Sequence, residues 1–221
     1  MHIRPVFDRV VVMDPVALTG EAFCALADGA GIAATPGEYV RDRGALQDAL
    51  VRYDGQRVLV ITELTSHRDS LVSGLAMLSG LRTGGYLRVM VCTGLDDPLM
   101  LKMVIDREPA VICLRREPLE ELCRLMWKAG EDSRRVRCSP GVRGLMQEWH
   151  TIRATPRELE WLVTQVDGMN LNESARAMAV CDKTAYTWRY RLIRRMGGKR
   201  EFMRYLVRIQ RYVVSLTMVS V

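Results

Sequence analysis

The chain is poor in the residues from which metal, redox and membrane chemistry are built. It has three histidines and six cysteines in 221 residues, and the cysteines, at 24, 92, 113, 123, 138 and 181, include no Cys-x-x-Cys pair. Zinc sites and disulfide scaffolds need clustered thiolates or imidazoles. Neither is expected here, and the thiols read as reduced core residues of a cytoplasmic protein. Long apolar runs are missing too: those at 10–13, 58–61, 110–114 and 213–214 fall far below the ~18 residues of a membrane span. No membrane contact and no secretory leader are expected. There is no glycine-rich phosphate loop and no nucleophile–base pair. The expectation is therefore a non-enzyme with no cofactor and no bound metal.

What is present is an ordinary globular composition, 48% hydrophobic and 26% charged, which excludes wholesale disorder. The charge is unevenly placed. Residues 151–221 hold 13 basic and 6 acidic side chains, whereas residues 1–150 hold 19 and 20. A neutral body carrying a basic module points to nucleic acid as partner.

The first 129 residues alternate short β-branched runs with helical patterns. Strands are expected at 9–14, 38–41, 57–62, 86–93 and 110–114, and helices at 17–28, 45–53, 69–81, 98–106 and 118–129. Such alternation implies an α/β domain, a doubly wound five-stranded parallel sheet with helices on both faces. Functional groups in these sheets gather at the carboxyl ends of the strands. The residues there are Asp14, Glu63, Thr93 and Arg115.

At these ends the sequence resembles the receiver domains of bacterial response regulators. Val60-Ile61-Thr62-Glu63 looks like the strand that ends in the phospho-accepting Asp, Thr93 stands at the switch hydroxyl, and Arg115 at the receiver Lys. The resemblance implies phosphoryl chemistry, which needs an Asp nucleophile, an acidic pair for Mg²⁺ and a Lys. Here Glu63 replaces the Asp, Val12-Met13 replaces the acidic pair apart from Asp14, and Arg115 replaces the Lys. The expectation is a degenerate phospho-acceptor pocket, a pseudo-receiver. In it Glu63 either mimics a phosphorylated Asp beside Arg115 and Thr93, or simply pairs with Arg115 or points to solvent; a small-molecule pocket at the same strand ends is the further alternative.

Residues 130–153 lack clear periodicity and are expected to be a linker with a short helix at 142–150, where Trp149-His150 would make a packing contact. From 154 to 221 four helices are expected, at 155–166, 171–179, 183–196 and 200–214. The first two open on capping boxes, Thr155 with Glu158 and Asn170 with Glu173. In the third, Ala185, Trp188, Leu192 and Met196 form one buried stripe. The opposite face carries Lys183, Tyr186, Thr187, Arg189, Tyr190, Arg191, Arg194 and Arg195. A short helix, a tight turn and a long basic helix make a helix-turn-helix.

The module resembles the LuxR/FixJ-type (NarL-like) DNA-binding domain through Thr155-Pro-Arg-Glu158, Gly168, Asn170, Ala175, Lys183-Thr184 and Arg195-Met196-Gly197. It departs at Ser174, Ala185 and Trp188. The resemblance implies that Lys183, Tyr186, Thr187, Arg189 and Tyr190 face double-stranded DNA, and Thr184, Arg191 and Arg194 complete the expected DNA-binding set. It also implies dimerisation through the last helix, where Phe202, Leu206, Ile209 and Val213 are spaced for one stripe; the alternative is that this stripe caps the core of its own domain, and both can hold. The whole layout is most similar to auxiliary capsule-synthesis regulators of the Rcs type, which lack a working phospho-acceptor. This implies a transcription regulator acting as a homodimer, or as a heterodimer with a phosphorylatable response regulator. The alternative is an antagonist that titrates another regulator without touching DNA.

Overall fold

A computed structural model describes residues 4–65, 69–81, 86–132, 135–148 and 154–218, with side chains as far as 211. The N-terminal unit contains β1 (Arg9–Met13), α1 (Ala17–Gly29), β2 (Glu38–Val40), α2 (Arg43–Arg52), β3 (Val58–Thr62), α3 (Leu71–Gly80), β4 (Leu87–Thr93), α4 (Pro98–Ile105), β5 (Val111–Leu114), α5 (Leu119–Ala129), β6 (Arg137–Cys138) and α6 (Pro140–Glu148). The strands pair in parallel in the order β2-β1-β3-β4-β5-β6. This is the flavodoxin-like order, with its switch point between β1 and β3.

The strands are buried on both faces, as parallel sheets require. Alternate residues divide between two layers. Val10, Val12, Leu59, Ile61, Met90 and Cys92 pack on α1 and α5 through Phe23, Ala27, Leu122 and Met126. Val11, Met13, Val58, Val60, Val89 and Val91 pack on the other side, against α2, α3, α4 and α6. Gly74 on α3 marks a close approach: a Cβ there would lie 1.9 Å from the carbonyl oxygen of Leu64. Only glycine lets the helix sit this near the end of β3.

The sheet has six strands, not the expected five. Arg137 donates to the Ala110 carbonyl at 3.1 Å and Ser139 to that of Ile112 at 3.0 Å, which adds β6 to the edge beyond β5. α6 then returns across β5 and buries Val142 completely. So the segment expected to be linker builds part of the first unit. Its Trp149-His150 lies outside the described residues.

The C-terminal unit comprises α7 (Pro156–Val166), α8 (Leu171–Ala177), α9 (Asp182–Arg195) and α10 (Lys199–Met218). Its core of Leu159, Trp161, Leu162, Ala175, Ala185, Leu192, Phe202, Leu206 and Ile209 is continuous with the α3–α4 layer of the sheet. Among the described residues no helix is long and apolar enough to cross a membrane.

Candidate functional site

Two places carry the expected site residues, the outer face of α9 and the carboxyl ends of the strands. α9 is held from behind. Both capping boxes are formed: Thr155 with Glu158 on α7, Asn170 with Glu173 on α8. Glu158 is fully buried and also pairs with Arg195, the last arginine of α9, whose side chain reaches back to it from the surface. Trp161 stacks on Phe202 with ring centroids 6.1 Å apart. Ser174, where the resemblance departs, is buried but satisfied: Thr164 and the Gln165 amide each donate to its hydroxyl at 2.7 Å. The buried hydroxyl therefore has the partners that burial of a polar group requires. Between α8 and α9 the chain turns tightly, with Ala179 in the left-handed region at φ 53° and Val180 N–H closing on the Ala175 carbonyl at 2.9 Å.

This frame buries Ala185 and Leu192 and turns the opposite side of α9 outward. Lys183, Tyr186, Tyr190, Arg191 and Arg194 are exposed, and Thr184, Thr187 and Arg189 are half-buried. Lys183, Arg189, Arg191 and Arg194 have no ion-pair partner among the described residues. The two hydroxyls are less available: Thr187 donates to the Lys183 carbonyl at 2.8 Å, and Thr184 lies 3.2 Å from the Cys181 thiol at the start of the helix. The face offers four unpaired cations and two phenols, groups that bond phosphates and base edges.

The expected dimerisation stripe is placed differently. Phe202, Leu206 and Ile209 are 3%, 7% and 3% exposed and fill the core of their own unit. The side chain of Val213 lies outside the described residues. The stripe is buried because α7 and α9 need an apolar cover, and α10 is the helix that supplies it. Among its described side chains α10 leaves the apolar Met203 and Val207 outside, amid Arg200, Arg204, Arg208 and Arg211.

At the strand ends the structure does bring Asp14, Glu63 and Arg115 together. Asp14 and Glu63 are 2% and 1% exposed. The Arg115 guanidinium pairs with Asp14 and lies 3.2 Å from Glu63 Oε2. Glu63 accepts from Leu64 N–H at 2.7 Å and from Gly94 N–H at 3.3 Å, and Asp14 accepts from Val16 N–H at 2.9 Å. Burial pushes the Asp14 carboxyl up to about 6, against the opposing pull of Arg115. Thr93 is fully buried, and its hydroxyl accepts from Leu95 N–H at 3.1 Å. It therefore stabilises its own turn.

These residues do not suit Mg²⁺, which requires several oxygen ligands in octahedral array. One guanidinium already occupies the space between the two carboxylates. Val12 and Met13 are apolar and buried, and no group of three potential ligands occurs among the described residues.

The sequence reading missed two acids that join the units. Asp97, at the end of the β4–α4 loop, accepts from Leu99 and Met100 N–H at 3.0 and 3.1 Å and so caps α4. It also accepts from Tyr205 Oη and Arg208, both at 2.7 Å, on α10. Burial and the Asp97 charge hold the Tyr205 phenol well above its ordinary range. Asp167, just after α7, accepts from Leu71 and Val72 N–H at 2.9 and 2.7 Å. It thus caps the first turn of α3, where free N–H groups favour an anion.

No family model matches the chain, and no curated protein does. Solved structures of response regulators do match its fold. RcsB from Salmonella enterica serovar Typhimurium, bound to promoter rprA in the presence of phosphomimetic BeF3⁻, is 18% identical, with TM-score 0.67 over 90% of this chain and 98% of that one. The same regulator bound to promoter P1flhDC gives TM-score 0.63 at 18% identity, over 94% and 98%. A further RcsB structure from Salmonella typhimurium gives 0.65 at 18% identity, over 97% and 100%. Both units therefore have the fold of a response regulator, an α/β sandwich followed by a helical helix-turn-helix domain.

Proposed function

We propose that this chain is a sequence-specific DNA-binding transcription regulator with a receiver-like unit that does not use phosphate. The observation that carries the reading is the outer face of α9. Lys183, Arg189, Arg191 and Arg194 stand unpaired there beside Tyr186 and Tyr190, on a helix locked from behind by two capping boxes and a buried core. The structural neighbours bound to promoters add to it.

In the receiver-like unit the Glu63 carboxylate takes the place of a transferable group. It is a fixed negative charge, paired with Arg115 and tied through Gly94 N–H to the loop that ends at Asp97. The unit then serves for dimerisation or for binding a partner regulator rather than for signalling by phosphorylation. Incubation with acetyl phosphate and Mg²⁺ is expected to leave the chain unlabelled, and a retarded band on a phosphate-affinity gel would refute this part.

Fluorescence anisotropy with a pool of promoter fragments, alone and with a partner response regulator, tests DNA recognition. Specific binding is expected to weaken by about 0.9 log unit per log unit of salt for each phosphate neutralised. Arg189→Ala is expected to weaken it by about tenfold or more, as befits a charge-assisted contact. Regulation that survives Arg189→Ala unchanged would overturn the reading in favour of an antagonist that acts only on another regulator.

A further inference from the structure

α3 and α4 of the first unit do not close fully on α7 of the second. Between them, under the end of α8, lies a cavity of about 440 Å³, within the usual range for small-molecule sites. Its walls are mostly apolar, formed by Val72, Leu75 and Ala76 on α3, Met103 on α4, Val163 on α7 and Met178 beyond α8. A second cavity of about 640 Å³ runs from the end of α4 to the start of α7 and is lined by Lys102, Asp106, Glu108 and Arg135. The two share Met103, Arg107 and Glu160. The seam is thus one cleft with an apolar arm and a charged arm, and Arg107 stands where they meet.

Arg107 is short of acceptors. Its Nη2 is 3.8 Å from Glu160 Oε1, at the outer limit of an ion pair, and Glu160 is engaged by Arg157 at 2.9 Å. The Arg107 Nε is buried and has no hydrogen-bond partner among the described residues. Lys102, next in the charged arm, is already paired with Asp106. The part of the Arg107 side chain that stays open is the guanidinium end, 24% exposed overall, and an anion in the cleft meets it there with a charge-assisted hydrogen bond better than the long pair with Glu160.

We propose that this cleft binds an amphipathic monocarboxylate, with its apolar body between α3, α4 and α7 and its carboxylate on Arg107. Lys102 and Arg135 accompany Asp106 and Glu108 in the charged arm, and Arg157 engages Glu160, so Arg107 is the cation offered to a ligand and one carboxylate matches it. The site spans both units, so its occupant touches each of them. The inference does not depend on the DNA-binding reading.

The test is calorimetric titration of the full chain with decanoate and, as the uncharged counterpart, decan-1-ol. Saturable binding of one decanoate per chain is expected, with decan-1-ol binding far more weakly. Arg107→Gln is expected to weaken decanoate binding by about tenfold or more. Ala76→Trp, which fills the apolar arm from an exposed helix position, is expected to abolish it. Arg116→Gln, at an exposed pair with Asp96, serves as control and is expected to leave it unchanged. Circular dichroism confirms that each variant is folded, and Arg107→Lys, which keeps the charge, is the substitute if Arg107→Gln is not; it is expected to bind more weakly than wild type but to retain the preference for the acid. No saturable binding below about 1 mM, equal binding of acid and alcohol, or equal binding by all the variants would each overturn the proposal.

Discussion

Replacing Asp97 by alanine removes four hydrogen bonds at once, two within the first unit and two across to α10. The loss of the cap on α4 costs about 1 kcal/mol. The Tyr205 hydroxyl, enclosed at the seam, is left without its acceptor at about 1–3 kcal/mol. Arg208 is 65% exposed, and its pair contributes less than about 1 kcal/mol. Asp97→Ala is therefore expected to cost about 3 kcal/mol. Asp97→Asn retains a cap and an acceptor for Tyr205, so it is expected to cost less than about 1 kcal/mol. Tyr205→Phe alone should cost about 1 kcal/mol, but added to Asp97→Ala it should cost nothing more, because the stranded hydroxyl has gone. Urea unfolding followed by tryptophan fluorescence reads these differences, since Trp161 lies in the core beneath α10. Equal costs for the alanine and asparagine variants, or strict additivity of Asp97→Ala with Tyr205→Phe, would refute the assignment of Asp97 as the joint between the units.

Other expectations concern packing and pH. Gly74→Ala is expected to destabilise by about 2–4 kcal/mol, since the added methyl collides with the Leu64 carbonyl. Gly80→Ala meets nothing within 4 Å and is expected to be neutral or to stabilise by up to about 1 kcal/mol, and thermal melts of the pair show which holds. Asp14 binds its proton more tightly in the folded chain, with a pKa of about 6, than in the unfolded one at about 3.9. Its contribution is therefore most favourable below about pH 4 and falls by about 3 kcal/mol as pH rises through 6. Urea midpoints at about pH 4.5 and pH 7.5 should differ less in Asp14→Asn than in the parent, and parallel shifts in the two would refute the role of burial at Asp14.

The parts of this structure legible in the sequence are those encoded by local pattern. The runs at 10–12 and 58–61 read as buried strands because they are continuous and β-branched, and the boxes at Thr155 and Asn170 read as helix starts because their partners lie three residues on. β6 escaped because a two-residue edge strand shows no period; it exists only through backbone bonds to Ala110 and Ile112. For α10 the spacing showed that one stripe is buried, but periodicity does not say against what, and its cover proved to be Trp161 and its neighbours. The strand-end cluster was half legible. Topology named Asp14, Glu63 and Arg115, yet the pairing of Asp14 with a residue 101 positions away follows only from the closed fold. Asp97 and Asp167 look like ordinary turn residues in one dimension. Their second role depends on how two units meet, and no local pattern reports that.

The return of the chain to the sheet as β6 and α6 also brings the two units close together along the sequence. Glu148, the last described residue of α6, stands only eight positions before Pro156, where α7 opens, and no chain of that length spans more than about 28 Å. Covalent joining over so short a stretch of sequence holds the C-terminal unit at a local concentration of the order of millimolar beside α3 and α4. The two carboxylate contacts then add to the apolar packing of α7 on α3 and α4 in keeping the units docked. Dilution cannot separate them. Any second molecule that needs the Asp97 side of α10 competes with a neighbour that never diffuses away, so its success depends on its own concentration while the internal contact does not.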